Sequence, residues 1–168
     1  QQFGIPQNAP VIGTISRLSP QKNPFEWVDI ASEIYAKEPS AYFLFVGNGP
    51  LRQAVLEHVE QKGLATRIIF TGLRRDASDL LNCMDIFLLS SLWEGLPRVI
   101  PQAMCVGVPV VAYAVDGVSE IIIDRVNGIL CKPHHISDAA NSCLELINSA
   151  SLREKICTEA YRTATLNF

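Results

Sequence analysis

The chain has 168 residues, 48% apolar, 18% charged and 8% aromatic, and its fourteen basic and seventeen acidic residues leave a net charge of -3. A chain this long buries roughly 70% of its unfolded surface in one core, so it needs neither disulfides nor metal to fold. The charge balance excludes a non-specific nucleic-acid coat or a membrane-surface role, and no stretch approaches the apolar length of a membrane span.

A local basic site for a small anion stays open. Gln1-Gln2-Phe3-Gly4 does not read as a signal peptide, so the expectation is a soluble chain in the cytoplasm. The five cysteines (Cys83, Cys105, Cys131, Cys143, Cys157) are scattered, with no C-x-x-C and no histidine at zinc-ligand spacing, and read as reduced, buried or semi-buried thiols.

Residues 1 to 9 lack periodicity and read as a connector arriving from elsewhere. From Pro10 onward, short apolar runs alternate with longer amphipathic stretches. Val11 to Ile15 reads as a strand, followed by Asn23-Pro24 as cap and first helical residue, with Phe25, Val28, Ala31, Ile34 and Tyr35 at helical spacing. Tyr42 to Val46 is a second strand, and its helix carries Leu51, Ala54, Val55 and Val59 on one face and stops near Gly63. Ile68 to Phe70 is a third strand, Asp76 to Cys83 a short helix and Asp85 to Leu89 a fourth strand. A helix over Arg98 to Val106 and a fifth strand over Val108 to Ala112 come next. A short sixth strand, Gly128 to Cys131, and helices near Ile136 to Ser149 and Ser151 to Thr163 close the chain. Strands apolar on both faces and separated by helices imply a Rossmann-like, doubly wound parallel sheet of about six strands with helices on both faces. Such sheets bind ligands beyond the carboxyl ends of their strands, so function is expected in the loops that follow them.

The loop after the first strand, Ser16 to Asn23, holds Arg17 and Lys22 beside a helix amino terminus, where two cations can converge on one multiply charged anion. The alternative is an Arg17 paired with a carboxylate and a solvated Lys22. Gly47-Asn48-Gly49-Pro50 follows the second strand and permits either close backbone approach to a ligand or a plain tight turn; it is not a G-x-G-x-x-G fingerprint. Thr71-Gly72-Leu73-Arg74-Arg75 follows the third, where a backbone turn could meet a heterocyclic base or simply close the surface. After the fourth come Ser90 to Pro97. There Gly95 is expected to let the chain fold tightly, Pro97 to pre-set the helical turn, and Glu94 to lie just before the helix amino terminus, where its charge is favoured whatever the function. Gln102, one turn on, could point into the same cleft. Asp116 to Glu120 supplies a further glycine turn, and His58, His134 and His135 read as surface residues without a nameable partner.

Six segments in this order, Gly13 to Leu18 with Lys22-Asn23, Val46 to Leu51, Phe70 to Gly72, Ser91 to Pro97 with Gln102 to Met104, Gly107 to Ala112, and Gly117 to Ile121 with Asn127-Gly128, resemble the nucleotide-sugar-binding carboxyl-terminal domain of family 4 glycosyltransferases, retaining enzymes of GT-B fold. The resemblance runs from about Asn8 to Thr163. It implies that residues 10 to 168 bind a donor such as UDP-glucose. Arg17 and Lys22 would hold the diphosphate, Thr71, Gly72 and Leu73 would contact the base, and Glu94 the sugar hydroxyls. Gly95, Leu96 and Pro97 would line diphosphate and sugar, with Gly13, Asn48, Gly49 and Val99 also at the site.

The family's second acid, eight residues after the first, is Gln102 here. An amide oxygen accepts ribose hydroxyls without charge, so this residue binds more weakly than a carboxylate and cannot act as a nucleophile. With no D-x-D motif, donor binding is expected to need no metal and no other cofactor. The resemblance further implies an acceptor-binding amino-terminal domain as partner, no nucleic acid, and contact with the inner membrane face only through that missing half, leaving the isolated chain inactive or weakly active. A catalytically degenerate module of the same fold is the alternative, and a nucleotide-sugar epimerase a more distant one.

Overall fold

The computed structural model describes residues 3–168, so Gln1 and Gln2 of the expected connector lie outside the described residues. Six strands, β1 (Val11–Ile15), β2 (Tyr42–Val46), β3 (Ile68–Gly72), β4 (Ile86–Leu89), β5 (Val110–Tyr113) and β6 (Ile129–Cys131), form one sheet among the described residues in the order β3-β2-β1-β4-β5-β6. Every pairing is parallel. The helices are α1 (Pro24–Lys37), α2 (Arg52–Gln61), α3 (Ala77–Leu81), α4 (Val99–Cys105), α5 (Asp116–Ser119), α6 (Ile136–Asn148) and α7 (Ala150–Asn167).

Alternate residues of each strand supply two cores. Ile12, Phe43, Phe45, Ile86, Leu88 and Val111 face α1, α2 and α6. Val11, Leu44, Val46, Phe87, Leu89 and Val110 face α3, α4 and α7. Burial on both sides is why these runs show no polar alternation, and it bears out the doubly wound parallel architecture. Trp27 of α1 anchors the first core edge-on against Phe43 and Phe45.

Several details depart from the sequence expectation. Asp116 to Ser119, expected as a glycine turn, is a short helix, and α7 runs past Thr163 to Asn167. The loop after β1 contains a turn of 3-10 helix, Pro20–Lys22. Asn23 stands at the start of α1 in the left-handed region, φ 48°, and its side chain makes no capping bond. Ala54 is exposed instead of sharing the apolar face of α2. Cys83 and Cys105 are exposed, while Cys131 and Cys143 are buried and burial pushes both thiols up. All five are free thiols. No helix among the described residues is long and apolar enough to cross a membrane.

The strand order reverses between β1 and β4, which lie side by side although two strands and three helices separate them in sequence. The crevice beyond their carboxyl ends is where the loops carrying Arg17, Lys22 and Glu94 meet.

Candidate functional site

The post-strand loops are joined to one another before they offer anything to a ligand. Ser16 N–H donates to Val46 O at 3.0 Å, Leu18 N–H to Asn48 O at 3.1 Å, and Gly47 N–H to Gly72 O at 2.9 Å. A Cβ on Gly49 would lie 2.3 Å from the Leu18 carbonyl oxygen, so this glycine is required by the close approach of the β1 loop. Gly13 is likewise a packing residue: it sits in mid-strand, and the Met84 sulfur would lie 2.3 Å from a Cβ there.

Over the ends of β1, β2 and β3 the joined loops enclose a cleft of about 600 Å3, lined by Ile15, Ser16, Arg17, Asn48, Gly49, Leu73, Arg74 and Ala77 among others. Arg17 is exposed on its wall and forms no ion pair among the described residues. Leu73 is 82% exposed at the rim, an apolar surface suited to the face of a flat ring. Thr71 Oγ1 and Gly47 N–H both donate to the Gly72 carbonyl, so that oxygen is already engaged by the protein. Sequence reading left Arg74 as a turn arginine, but it forks onto Asp76, Nε to Oδ1 at 2.8 Å and Nη2 to Oδ2 at 2.6 Å. That hydrogen bond holds the Asp76 carboxyl below its ordinary range and fixes the rim of the cleft.

At the switch point, the 3-10 turn after β1 is tied to the loop after β4. Gln21 Nε2 donates to Trp93 O at 2.9 Å, and Leu92 N–H donates to Gln21 O at 2.9 Å. The Ser90 hydroxyl lies within bonding distance of the Lys22 and Asn23 carbonyls, and the Ser91 hydroxyl is buried with no partner among the described residues. This frame brings the Lys22 ammonium onto Glu94 Oε1 as an ion pair, with side-chain exposures of only 20% and 6%. Lys22 is therefore not solvated. Glu94 sits five residues before α4, and its carboxylate meets Lys22 instead of the α4 amides.

The Glu94 loop is supported from behind by α5. Gly117 N–H donates to Glu94 O at 3.3 Å, and a Cβ on Gly117 would lie 1.4 Å from Gly95 O. No side chain fits there. Sequence reading registered Gly117 only as another turn glycine, because the partner it needs is more than twenty residues away in the chain. Gly95 departs from expectation in the opposite sense. Its φ is not positive and a Cβ there would meet nothing within 4 Å, so no fold requirement among the described residues makes it glycine. The Gly95 and Leu96 amides donate to no backbone carbonyl among the described residues.

Pro97 is buried and its carbonyl accepts from Ile100 N–H at 3.0 Å, while α4 itself starts at Val99. Val99 is partly buried against the second core. Gln102 is exposed on α4 and its side chain makes no hydrogen bond among the described residues. His134 and His135 are surface residues as expected and His58 is half-buried, but each meets a carboxylate that the sequence did not name: His58 with Asp29, His134 with Glu26, and His135 with Asp138. His134, with φ 67°, lies in the loop after β6, and the Tyr113 hydroxyl donates to the other Glu26 oxygen at 2.7 Å. Burial raises the Glu26 pKa, but the Tyr113 and His134 hydrogen bonds outweigh it and leave the carboxyl below its ordinary value. Among the described residues no group of three His, Cys, Asp or Glu is placed to hold a metal ion.

The described residues thus place an exposed Arg17 and the Lys22–Glu94 ion pair beyond the carboxyl ends of a doubly wound sheet, beside a cleft of about 600 Å3. The model of the glycosyl transferases group 1 family matches residues 1–163. The chain belongs to this family. Its fold and the family match together bear out the GT-B glycosyltransferase resemblance. The Vi polysaccharide biosynthesis protein VipC/TviE of Salmonella typhi is 35% identical over 151 residues, 88% of this chain and 26% of that protein. Among solved structures, Anabaena Alr3699/HepE in complex with UDP-glucose superimposes with a TM-score of 0.93 at 29% identity, over 99% of this chain and 46% of that one. The C-terminal domain of a glycosyl transferase group 1 family protein (LpcC) from Francisella tularensis gives a TM-score of 0.85 at 26% identity, over 99% of this chain and 91% of that one. This group 1 chain thus spans about a quarter of the length of its Salmonella relative.

Proposed function

We propose that the chain is the donor-binding half of a family 4, retaining glycosyltransferase, taking a UDP-sugar whose acceptor is bound by a preceding domain. The observation that carries this is the Lys22–Glu94 pair at the β1/β4 switch point beside the Arg17-lined cleft. UDP-glucose in the Anabaena relative and the C-terminal position of the Francisella domain support the reading.

In this reading the base lies against Leu73 in the cleft and Arg17 and Lys22 take the diphosphate. The amides of Gly95 and Leu96 approach the phosphate and sugar oxygens, and Glu94 accepts hydrogen bonds from hydroxyls of the sugar. Cleaving the bond between the anomeric carbon and phosphate leaves an additional negative charge on the nucleotide. Two positioned cations and free amides stabilise that charge more in the transition state than before it. At the family's second acidic position this chain has the amide Gln102, so a double-displacement route of the glycosidase kind finds no nucleophile at that position. Arg17 and Lys22 supply the positive charge that a metal would otherwise bring, so donor binding is metal-independent. The longer enzyme works in the cytoplasm and touches the inner membrane face only through its other half, and this half alone transfers sugar weakly or not at all.

Calorimetry and thermal unfolding with UDP-glucose, UDP-N-acetylglucosamine and GDP-mannose test the reading. Donor at 100 times its dissociation constant adds about 2.7 kcal/mol of stability. A chain that gives no heat and no stabilisation with any nucleotide sugar is a degenerate module instead, as the amide at Gln102 would allow.

A further inference from the structure

We infer that the Lys22–Glu94 pair makes the site discriminate between a nucleotide sugar and the free nucleoside diphosphate left after transfer, with the Glu94 carboxylate working against the latter. The inference rests on the donor-binding reading and adds to it a device for product release.

The Glu94 side chain is 6% exposed and Lys22 is its one ionic partner among the described residues. Only Oε1 receives that ammonium; Oε2 accepts no hydrogen bond from any described residue. The carboxylate therefore has a spare acceptor site and little solvent to screen it. A diphosphate that draws on Lys22 takes charge compensation away from this carboxylate and brings further negative charge next to it. One such like-charge contact is worth at least about fivefold in affinity, the value for two unit charges about 4 Å apart in bulk water, and more where solvent is excluded. A sugar attached to the diphosphate reverses the balance, because its hydroxyls donate to the spare oxygen and hydrogen bonds to a charged acceptor are the strong ones. Free UDP lacks the transferred sugar, and with it the hydroxyls placed beyond the diphosphate. The carboxylate thus favours the loaded donor and expels the spent nucleotide, while the backbone ties from Gln21 to Trp93 and Leu92 keep the pair in register.

Titration calorimetry of the wild type and Glu94→Gln with UDP and with UDP-glucose tests this. The substitution should tighten UDP by at least about fivefold and leave UDP-glucose unchanged or weaker, so that the preference for donor over UDP falls by at least that factor. Equal weakening of both ligands, or no change in either, overturns the inference while leaving donor binding intact. If the wild type binds neither ligand, the donor-binding reading falls instead. Thermal unfolding checks that Glu94→Gln is folded. Should it not fold, Lys22→Gln carries the test: it leaves the carboxylate uncompensated and should weaken UDP more than UDP-glucose, and equal losses overturn the inference.

Discussion

Replacing Gly117 by alanine adds one methyl group at the back of the site and probes the support of the Glu94 loop directly. The new Cβ would lie 1.4 Å from Gly95 O, 2.5 Å from Gly95 C and 3.2 Å from Glu94 O. Relief of the first contact requires the peptide joining Gly95 and Leu96 to withdraw by ~1.6 Å or α5 to retreat as far, because both neighbours are backbone and neither can rotate away. The 3.3 Å bond from Gly117 N–H to Glu94 O is lost in either case. A lost hydrogen bond contributes about 1 kcal/mol and overpacking about 1 to 3 kcal/mol, which for a chain of this size lowers the unfolding midpoint by roughly 4 to 12 °C. Displacement of a positioning group by an ångström costs up to about a hundredfold in function, so UDP-glucose affinity should fall by about ten- to a hundredfold. Gly95→Ala is the control. A Cβ there meets nothing within 4 Å, so stability should stay within about 0.5 kcal/mol while UDP-glucose binding weakens. A Gly117→Ala protein that unfolds at the wild-type midpoint and binds UDP-glucose with wild-type affinity refutes the argument that α5 sets the Glu94 loop.

Arg17→Ala should weaken UDP binding by about 1.5 to 3 kcal/mol, the range for hydrogen bonds to charged groups, without lowering the unfolding midpoint, since Arg17 is exposed and forms no ion pair among the described residues. UDP-glucose affinity measured in excess EDTA should equal that in magnesium; a loss with chelator would show that the cations do not suffice. Glu26 has its carboxyl below the ordinary 4.5, so its contribution to stability is complete above pH 4.5 and is lost as pH falls through the lowered folded value. Unfolding midpoints of wild type and Glu26→Gln should therefore differ most above pH 4.5 and converge below it, and a gap independent of pH would refute the role of the charged form.

The fold was legible because burial on both faces writes itself into composition. Tyr42 to Val46 and Ile86 to Leu89 carry apolar residues at every position and Val11 to Ile15 adds to its run only Gly13 and a buried Thr14, a pattern that requires a sheet covered on both sides. The ends of elements were less legible. The helix expected over Arg98 to Val106 exceeds α4 by one residue at each end, and the four-residue α5 carries too little periodicity to separate it from a turn. Arg17, Lys22 and Glu94 stand out in the sequence because they lie in loops that follow strands and match the motifs of the family. Their mutual arrangement was not legible, for Lys22 and Glu94 are 72 residues apart. Of the two cations expected to converge on an anion, one lines the cleft and the other is held by Glu94.

The local order of residues was enough to specify the layers of this chain, its strand-to-loop grammar and the chemistry stocked in each loop, because periodicity and residue type act over a few positions. Which groups meet depended on the closed sheet. The β1/β4 adjacency puts Lys22 on Glu94, and the packing of α5 behind that loop makes Gly117 indispensable and leaves open space beside Gly95. Contacts of this kind arise between segments distant in the chain, and steric exclusion between two backbones leaves no mark in either segment read alone.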